Sequence, residues 1–198
     1  MDAVLVIDDY AVNDVSEYAS IPIRFTVSKR MRVTETSGCI DLNPEPVTPW
    51  EKNYDSLKCE TPFAWRKNWD TSNWRLWIAR LGDIPIGGAV VAWDTPGLEM
   101  LSIRPDSSCL WDLRVVPEYR RQGIGQALFR RAASWSAAQG AKVMIVETQD
   151  INVPACHFYE SNGCTLIGLN EYAYSPDLDE TQLIWELPLV VSESLVNE

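Results

Sequence analysis

Arg120-Arg121-Gln122-Gly123-Ile124-Gly125-Gln126-Ala127-Leu128 joins what reads as a strand to what reads as a helix. Upstream, Cys109-Leu110-Trp111-Asp112-Leu113-Arg114-Val115 has strand composition and stops before Pro117. Downstream, Ile124, Ala127, Leu128, Ala132 and Trp135 recur at helical spacing until Gly140. The first N–H groups of a helix lack internal partners and lie at the positive end of its dipole, so such a turn attracts phosphate. A nucleoside triphosphate calls for G-x-x-x-x-G-K-[ST], and neither that spacing nor the lysine is present. A dinucleotide calls for G-x-G-x-x-G or a final alanine, and Leu128 stands at that last place.

The pattern on either side of this turn sets the fold class. Trp74–Arg80 and Ile86–Trp93 read as a hairpin around Leu81-Gly82-Asp83-Ile84-Pro85. Lys142–Thr148 is a largely apolar strand. Asn152 is a candidate N-cap, Pro154 sits in the first turn and Gly163 closes a second helix over 153–162. Thr165–Ile167 and Thr181–Leu187 return to strand. This alternation predicts one α/β domain over 1–198, with a mixed, mostly antiparallel central sheet flanked by helices. The first sixty residues carry little periodic signal. Leu42–Pro49, with Pro44, Pro46 and Pro49, is excluded from a helix interior and reads as a loop or extended arm.

Composition narrows the function. The chain starts with acids at Asp2, Asp8 and Asp9 where a secretory signal needs bases, and no apolar run is long enough to span a bilayer, so a soluble cytoplasmic protein is expected, with no membrane partner. A net charge of -11 argues against nucleic acid. Five scattered cysteines without a C-x-x-C pair, and His157 as the one histidine, predict neither a disulfide scaffold nor a metal site. His157 lies beside Cys156 on an apparent helix, where neighbouring side chains point apart, so a cysteine–histidine hydrolase is disfavoured too. Glu147 to Glu198 holds ten acids and no lysine or arginine, whereas Arg114, Arg120, Arg121, Arg130 and Arg131 crowd one short stretch. An anion site beside an acidic region suits a cationic partner.

Arg120-x-x-Gly123-x-Gly125 resembles the Q/R-x-x-G-x-G/A signature of the GNAT N-acetyltransferase superfamily. Asn152-Val153-Pro154-Ala155-Cys156-His157-Phe158-Tyr159-Glu160-Ser161-Asn162-Gly163 resembles its second motif, in the right order and one strand away. The resemblance implies acetyl-coenzyme A as cosubstrate. Its diphosphate would be held by Arg120, Arg121, Gln122, Gly123, Ile124 and Gly125, chiefly through backbone N–H groups. Leu113, Val115, Asn152 and Tyr159 would complete the cofactor contacts.

Transfer to an amine also needs a base, because an alkyl ammonium has a pKa of about 10. Glu147, at the end of its strand, resembles the base of some superfamily members, and Asp112 on the preceding strand is the alternative. Tyr159 stands where the superfamily often places a general acid that protonates the departing thiolate. The backbone N–H near Val115 would polarise the thioester carbonyl. A nucleophilic cysteine, Cys109 or Cys156, is the other mechanism that the residues leave open.

Glu147-Thr148-Gln149, followed by Asn152-Val153-Pro154-Ala155-Cys156 and Tyr159, is very similar to the second motif of the streptothricin acetyltransferases. Thr48-Pro49-Trp50-Glu51-Lys52-Asn53-Tyr54 also resembles a segment of that family. The expected acceptor is therefore a primary amine of a small cationic molecule, with streptothricin as the specific case. A protein or peptide amine, and a non-enzymatic coenzyme A sensor, stay open as alternatives. Related domains often dimerise, so a homodimer is compatible with the resemblance.

Overall fold

A computed structural model describes residues 5–36, 39–56 and 61–190. Cys59, the first four residues, and the last two acids of the C-terminal run, Glu193 and Glu198, lie outside them. In chain order the elements are β1 (Leu5–Ala11), α1 (Ser16–Ala19), β2 (Arg24–Thr36), β3 (Cys39–Asn53), α2 (Pro62–Asn68), β4 (Arg75–Leu81) and β5 (Ile84–Ala92). They continue with α3 (Glu99–Ser102), β6 (Ser107–Val115), α4 (Ile124–Ala138), β7 (Val143–Gln149), α5 (Val153–Ser161), β8 (Thr165–Asn170) and β9 (Gln182–Pro188). The class is α/β with mostly antiparallel strands and flanking helices, as the alternation predicts. The chain forms two compact units, 1–22 with 62–145 and 188–198, and 23–61 with 146–187.

In the first unit β1, β4, β5 and β6 follow one another as antiparallel neighbours. The β4–β5 hairpin turns over Gly82 and Asp83, with Gly82 at φ 61. Pro85, which cannot donate to a ladder, pairs beside the bulge that leaves Ile86 extra. α4 buries Ile124, Leu128, Phe129, Ala132 and Ser136. The sequence pattern placed Ala127 and Trp135 on that stripe instead of Phe129 and Ser136. Both are half-buried, and Trp135 meets Trp77 edge-on at 5.9 Å.

Gly87 and Gly88 admit two close approaches to β5. A Cβ on Gly87 would stand 3.2 Å from both Ile124 and Leu128 of α4. A Cβ on Gly88 would stand 2.5 Å from the Tyr18 ring and 2.8 Å from the Trp77 carbonyl oxygen. Tyr18 has no room to yield: it is fully buried, with Trp65 at 5.7 Å and the Arg114 guanidinium 4.9 Å above its ring. Gly88→Ala is therefore expected to destabilise the fold by about 1–3 kcal/mol through overpacking. Urea unfolding would show it, and an unchanged midpoint would mean that Tyr18 can move.

In the second unit β2 and β3 form a two-stranded ribbon, and β7, β9 and β8 lie in that order. The proline-rich stretch belongs to β3. Pro44 pairs with Met31 and Pro46 with Lys29, after which Val47, Thr48 and Pro49 bulge opposite Ser28. In a two-stranded ribbon both strands are edges, where a missing N–H is tolerated, and the i, i+2 spacing puts both missing donors on one edge. The "extended arm" of the sequence reading is thus half of a long hairpin. Met31 N–H donates to the Asp150 carbonyl at 2.7 Å, tying the ribbon to the end of β7.

Candidate active site

The residues expected to carry the chemistry fall into two sets, one in each unit. In the first, α4 begins after Gly123, whose φ of 83° is left-handed, and no side chain caps the helix. No atom lies within 4 Å of where a Gly123 Cβ would stand, so the turn is open on that side. Arg121 is also left-handed, at φ 64, a conformation that costs a non-glycine residue about 1–2 kcal/mol. Arg121, Gln122 and Gly123 are exposed. An uncapped helix start behind a turn with two left-handed residues is a setting in which backbone N–H groups bind anions. Arg120 ties this turn to β6, its Nε donating to the Val115 carbonyl at 2.9 Å. Gln122 Nε2 donates to the Glu118 carbonyl at 3.2 Å. Arg130 and Arg131 are exposed on α4.

β6 is interrupted just before the residues predicted to face the ligand. Val90 pairs with Asp112 and Val91 with Leu110, so Trp111 is the extra residue of a bulge. The strand is buried from Ser107 to Leu110 and only half-buried over Trp111, Asp112 and Leu113. Asp112 is tied to Arg114 through both oxygens: Nε donates to Oδ1 at 3.1 Å and Nη2 to Oδ2. Arg114 Nη1 reaches the Ile21 carbonyl at 2.9 Å. Burial, and then the Asp112 charge, push the Tyr18 phenol beside this pair well above its ordinary range.

In the second unit Glu147 is the centre of a polar cluster. Its Oε1 accepts from the Tyr174 hydroxyl at 2.6 Å and its Oε2 from Gln182 Nε2 at 2.8 Å. Gln149 Nε2 donates to the Tyr174 oxygen at 2.8 Å, and the Tyr54 hydroxyl donates to Gln149 Oε1. Burial first, then the neighbouring Glu147 charge, raise the Tyr174 phenol far above its ordinary range, so it keeps its proton and acts as a donor. The two buried acids of this unit, Asp150 and Glu180, have cations. Glu180 pairs with Lys52, whose Nζ sits 5.0 Å from the Tyr54 ring centre. Asp150 pairs with Arg30, which also holds Asp179. Among the described residues no cation pairs with Glu147.

Asn152 caps α5, its Oδ1 accepting from Ala155 N–H at 3.3 Å. Val153, Cys156 and Tyr159 form the buried face of that helix, and the Tyr159 ring packs against Phe158 at 5.5 Å and Trp185 at 6.4 Å. His157 points outward and meets Glu160 at 3.8 Å. Burial pushes the Cys156 thiol up to about 12, which leaves almost no thiolate at neutral pH and weakens it as a nucleophile. Cys109 is fully buried as well. No cluster of His, Cys, Asp and Glu fit to hold a metal occurs among the described residues, and no helix there is long and apolar enough to cross a membrane.

Sequence reasoning singled out Glu147 without the partners that hold it. Lys52 and Tyr54 lay within the stretch resembling the streptothricin enzymes, and Gln149 within Glu147-Thr148-Gln149. Tyr174, Glu180 and Gln182 carried no local signal, since they reach the cluster only through the pairing of distant segments.

The family model for the acetyltransferase (GNAT) family matches residues 41–164. The chain belongs to that family. Streptothricin acetyltransferase A of Bacillus subtilis (strain 168) is 34% identical over 76 residues, which cover 37% of this chain and 44% of that protein. The chain therefore spans less than half the length of that relative. The crystal structure of nourseothricin acetyltransferase is 25% identical, with a TM-score of 0.71 and coverage of 94% of this chain and 99% of that one. A Bacillus anthracis str. Ames crystal structure in complex with acetyl coenzyme A is 24% identical, with a TM-score of 0.74 and coverage of 96% and 100%. As a GNAT family member, the chain carries its Arg120-x-x-Gly123-x-Gly125 turn at the start of α4 and its Asn152–Gly163 motif on α5.

Proposed function

We propose that this protein transfers an acetyl group from acetyl-coenzyme A to a primary amine of a small cationic molecule, with streptothricin as the specific candidate. The observation that carries this reading is Glu147: a half-buried carboxylate held by two neutral donors, with no cation paired to it among the described residues. Such a charge is costly to leave unpaired, and an acceptor's ammonium group would supply the missing partner. Similarity to streptothricin acetyltransferase A and to nourseothricin acetyltransferase supports the choice of amine.

The open, uncapped turn fits the diphosphate of the cosubstrate. Backbone N–H groups from Arg121 to Gly125 would hold it, with Arg120 fixing the turn, and Leu113, Val115 and Asn152 would contact the remaining arm. Acetyl-coenzyme A supplies the activated thioester. Glu147, directly or through a water, would take the proton that the amine loses on forming its new bond to the acetyl carbon. The N–H near Val115 would stabilise the carbonyl oxygen as charge develops there, and Tyr159 would deliver a proton to the departing sulfur. Asp112 is the less favoured base, because Arg114 already engages both of its oxygens.

Glu147→Gln keeps the shape and removes the charge. It is expected to lower amine turnover about 100-fold or more while acetyl-coenzyme A binding stays within two-fold. Thiol release measured across streptothricin, spermidine and a lysine peptide would test it. Unchanged turnover in the variant would remove Glu147 from the role, and a preference of the wild type for the peptide would move the assignment to protein acetylation.

A further inference from the structure

We infer that Tyr174 is a positioning residue for the acceptor-binding carboxylate, as the last link of a one-way hydrogen-bond chain running Tyr54–Gln149–Tyr174–Glu147. The inference rests on the acetyl-transfer reading above and adds a residue that no motif marks. The direction of the chain follows from chemistry. An ionised carboxylate can only accept, so the single proton of Tyr174 points at Glu147 Oε1, 2.6 Å away. The Tyr174 oxygen is then left to accept, and the Gln149 amide nitrogen is its donor at 2.8 Å. That orientation turns the Gln149 amide oxygen toward Tyr54, whose hydroxyl donates to it. Three donors thus line up toward one anion, and each polarises the next.

The links come from separate parts of the second unit. Tyr54 lies in the helical turn after β3, Gln149 and Glu147 on β7, Tyr174 in the loop after β8, and Gln182 on β9. With Tyr174 on one oxygen and Gln182 on the other, the Glu147 carboxylate cannot rotate about its terminal bond without breaking a hydrogen bond. Its remaining lone pairs therefore keep a fixed direction. The surrounding charges do not compete for it: Lys52 is engaged by Glu180, and Arg30 by Asp150 and Asp179. A misplacement of the base by about 1 Å can cost about 100-fold in rate, which is the scale on which a positioning residue acts.

The experiment compares the wild type with Tyr174→Phe, Glu147→Gln and the double variant, using streptothricin and spermidine as acceptors. Tyr174→Phe is expected to lower kcat/KM for the amine about 10- to 100-fold while the KM for acetyl-coenzyme A stays within two-fold. Added to Glu147→Gln, it should change turnover by less than about two-fold, because the group it orients is already disabled. Tyr54→Phe, two links further back, should give a smaller loss with the same split between the two substrates, and it decides the matter if Tyr174→Phe does not fold. Additive losses in the double variant, or a Tyr174→Phe enzyme as active as the wild type, would overturn the positioning role alone. A wild type that releases thiol with neither amine would overturn the small-amine reading and the positioning role with it.

Discussion

Arg114→Met is expected to destabilise the fold by about 3–5 kcal/mol, the usual effect of removing one partner of a buried ion pair. The side chains of Arg114 and Asp112 are 2% and 8% exposed, so solvent screens them little. The variant would leave the Asp112 carboxylate buried without the guanidinium that engages both its oxygens. It would also strip the Ile21 carbonyl of the Nη1 donor and the Tyr18 ring of its cation. Urea denaturation provides the measurement. The double variant Asp112→Leu with Arg114→Met should recover part of the loss, because no charge is then left unpaired. An Arg114→Met midpoint equal to the wild type's would show that water already reaches Asp112.

Tyr159→Phe is expected to lower kcat about 100- to 10,000-fold, the range over which a positioned acid accelerates proton transfer. Acetyl-coenzyme A binding should survive, because phenylalanine keeps the packing against Phe158 and Trp185 that holds the ring on the buried face of α5. Single-turnover thiol release separates the two effects. Unchanged turnover would remove Tyr159 from the proton-donor role and direct attention to another group on the departing sulfur.

Both variants probe residues that the sequence named, yet for different reasons. The turn at Arg120–Gly125, the helix behind it and the capped helix α5 were legible because their signals are local. Glycine marks a left-handed backbone, asparagine followed by proline marks a helix start, and apolar spacing marks a buried face. The N-terminal third was not legible. β3 carries three prolines that argue against strand; the two-stranded setting of the β2–β3 ribbon makes Pro44 and Pro46 acceptable, and the bulge takes up Pro49. Asp112, read as the alternative base, and Arg114, read as one of a crowd of arginines, lie two residues apart on β6, and their buried pairing became visible only once Tyr18 and Ile21 were packed around them.

By itself, the sequence determined the α/β class, the glycine turn that opens α4 and the placement of Glu147 near a strand end and Tyr159 on a helix, since each is read from residues within a few positions of one another. The tertiary structure alone decided what surrounds Glu147. Tyr54, Tyr174 and Gln182 meet that carboxylate or its neighbours from 95, 27 and 35 residues away along the chain. Strand register and loop closure set such meetings, and neither leaves a periodic mark in the sequence.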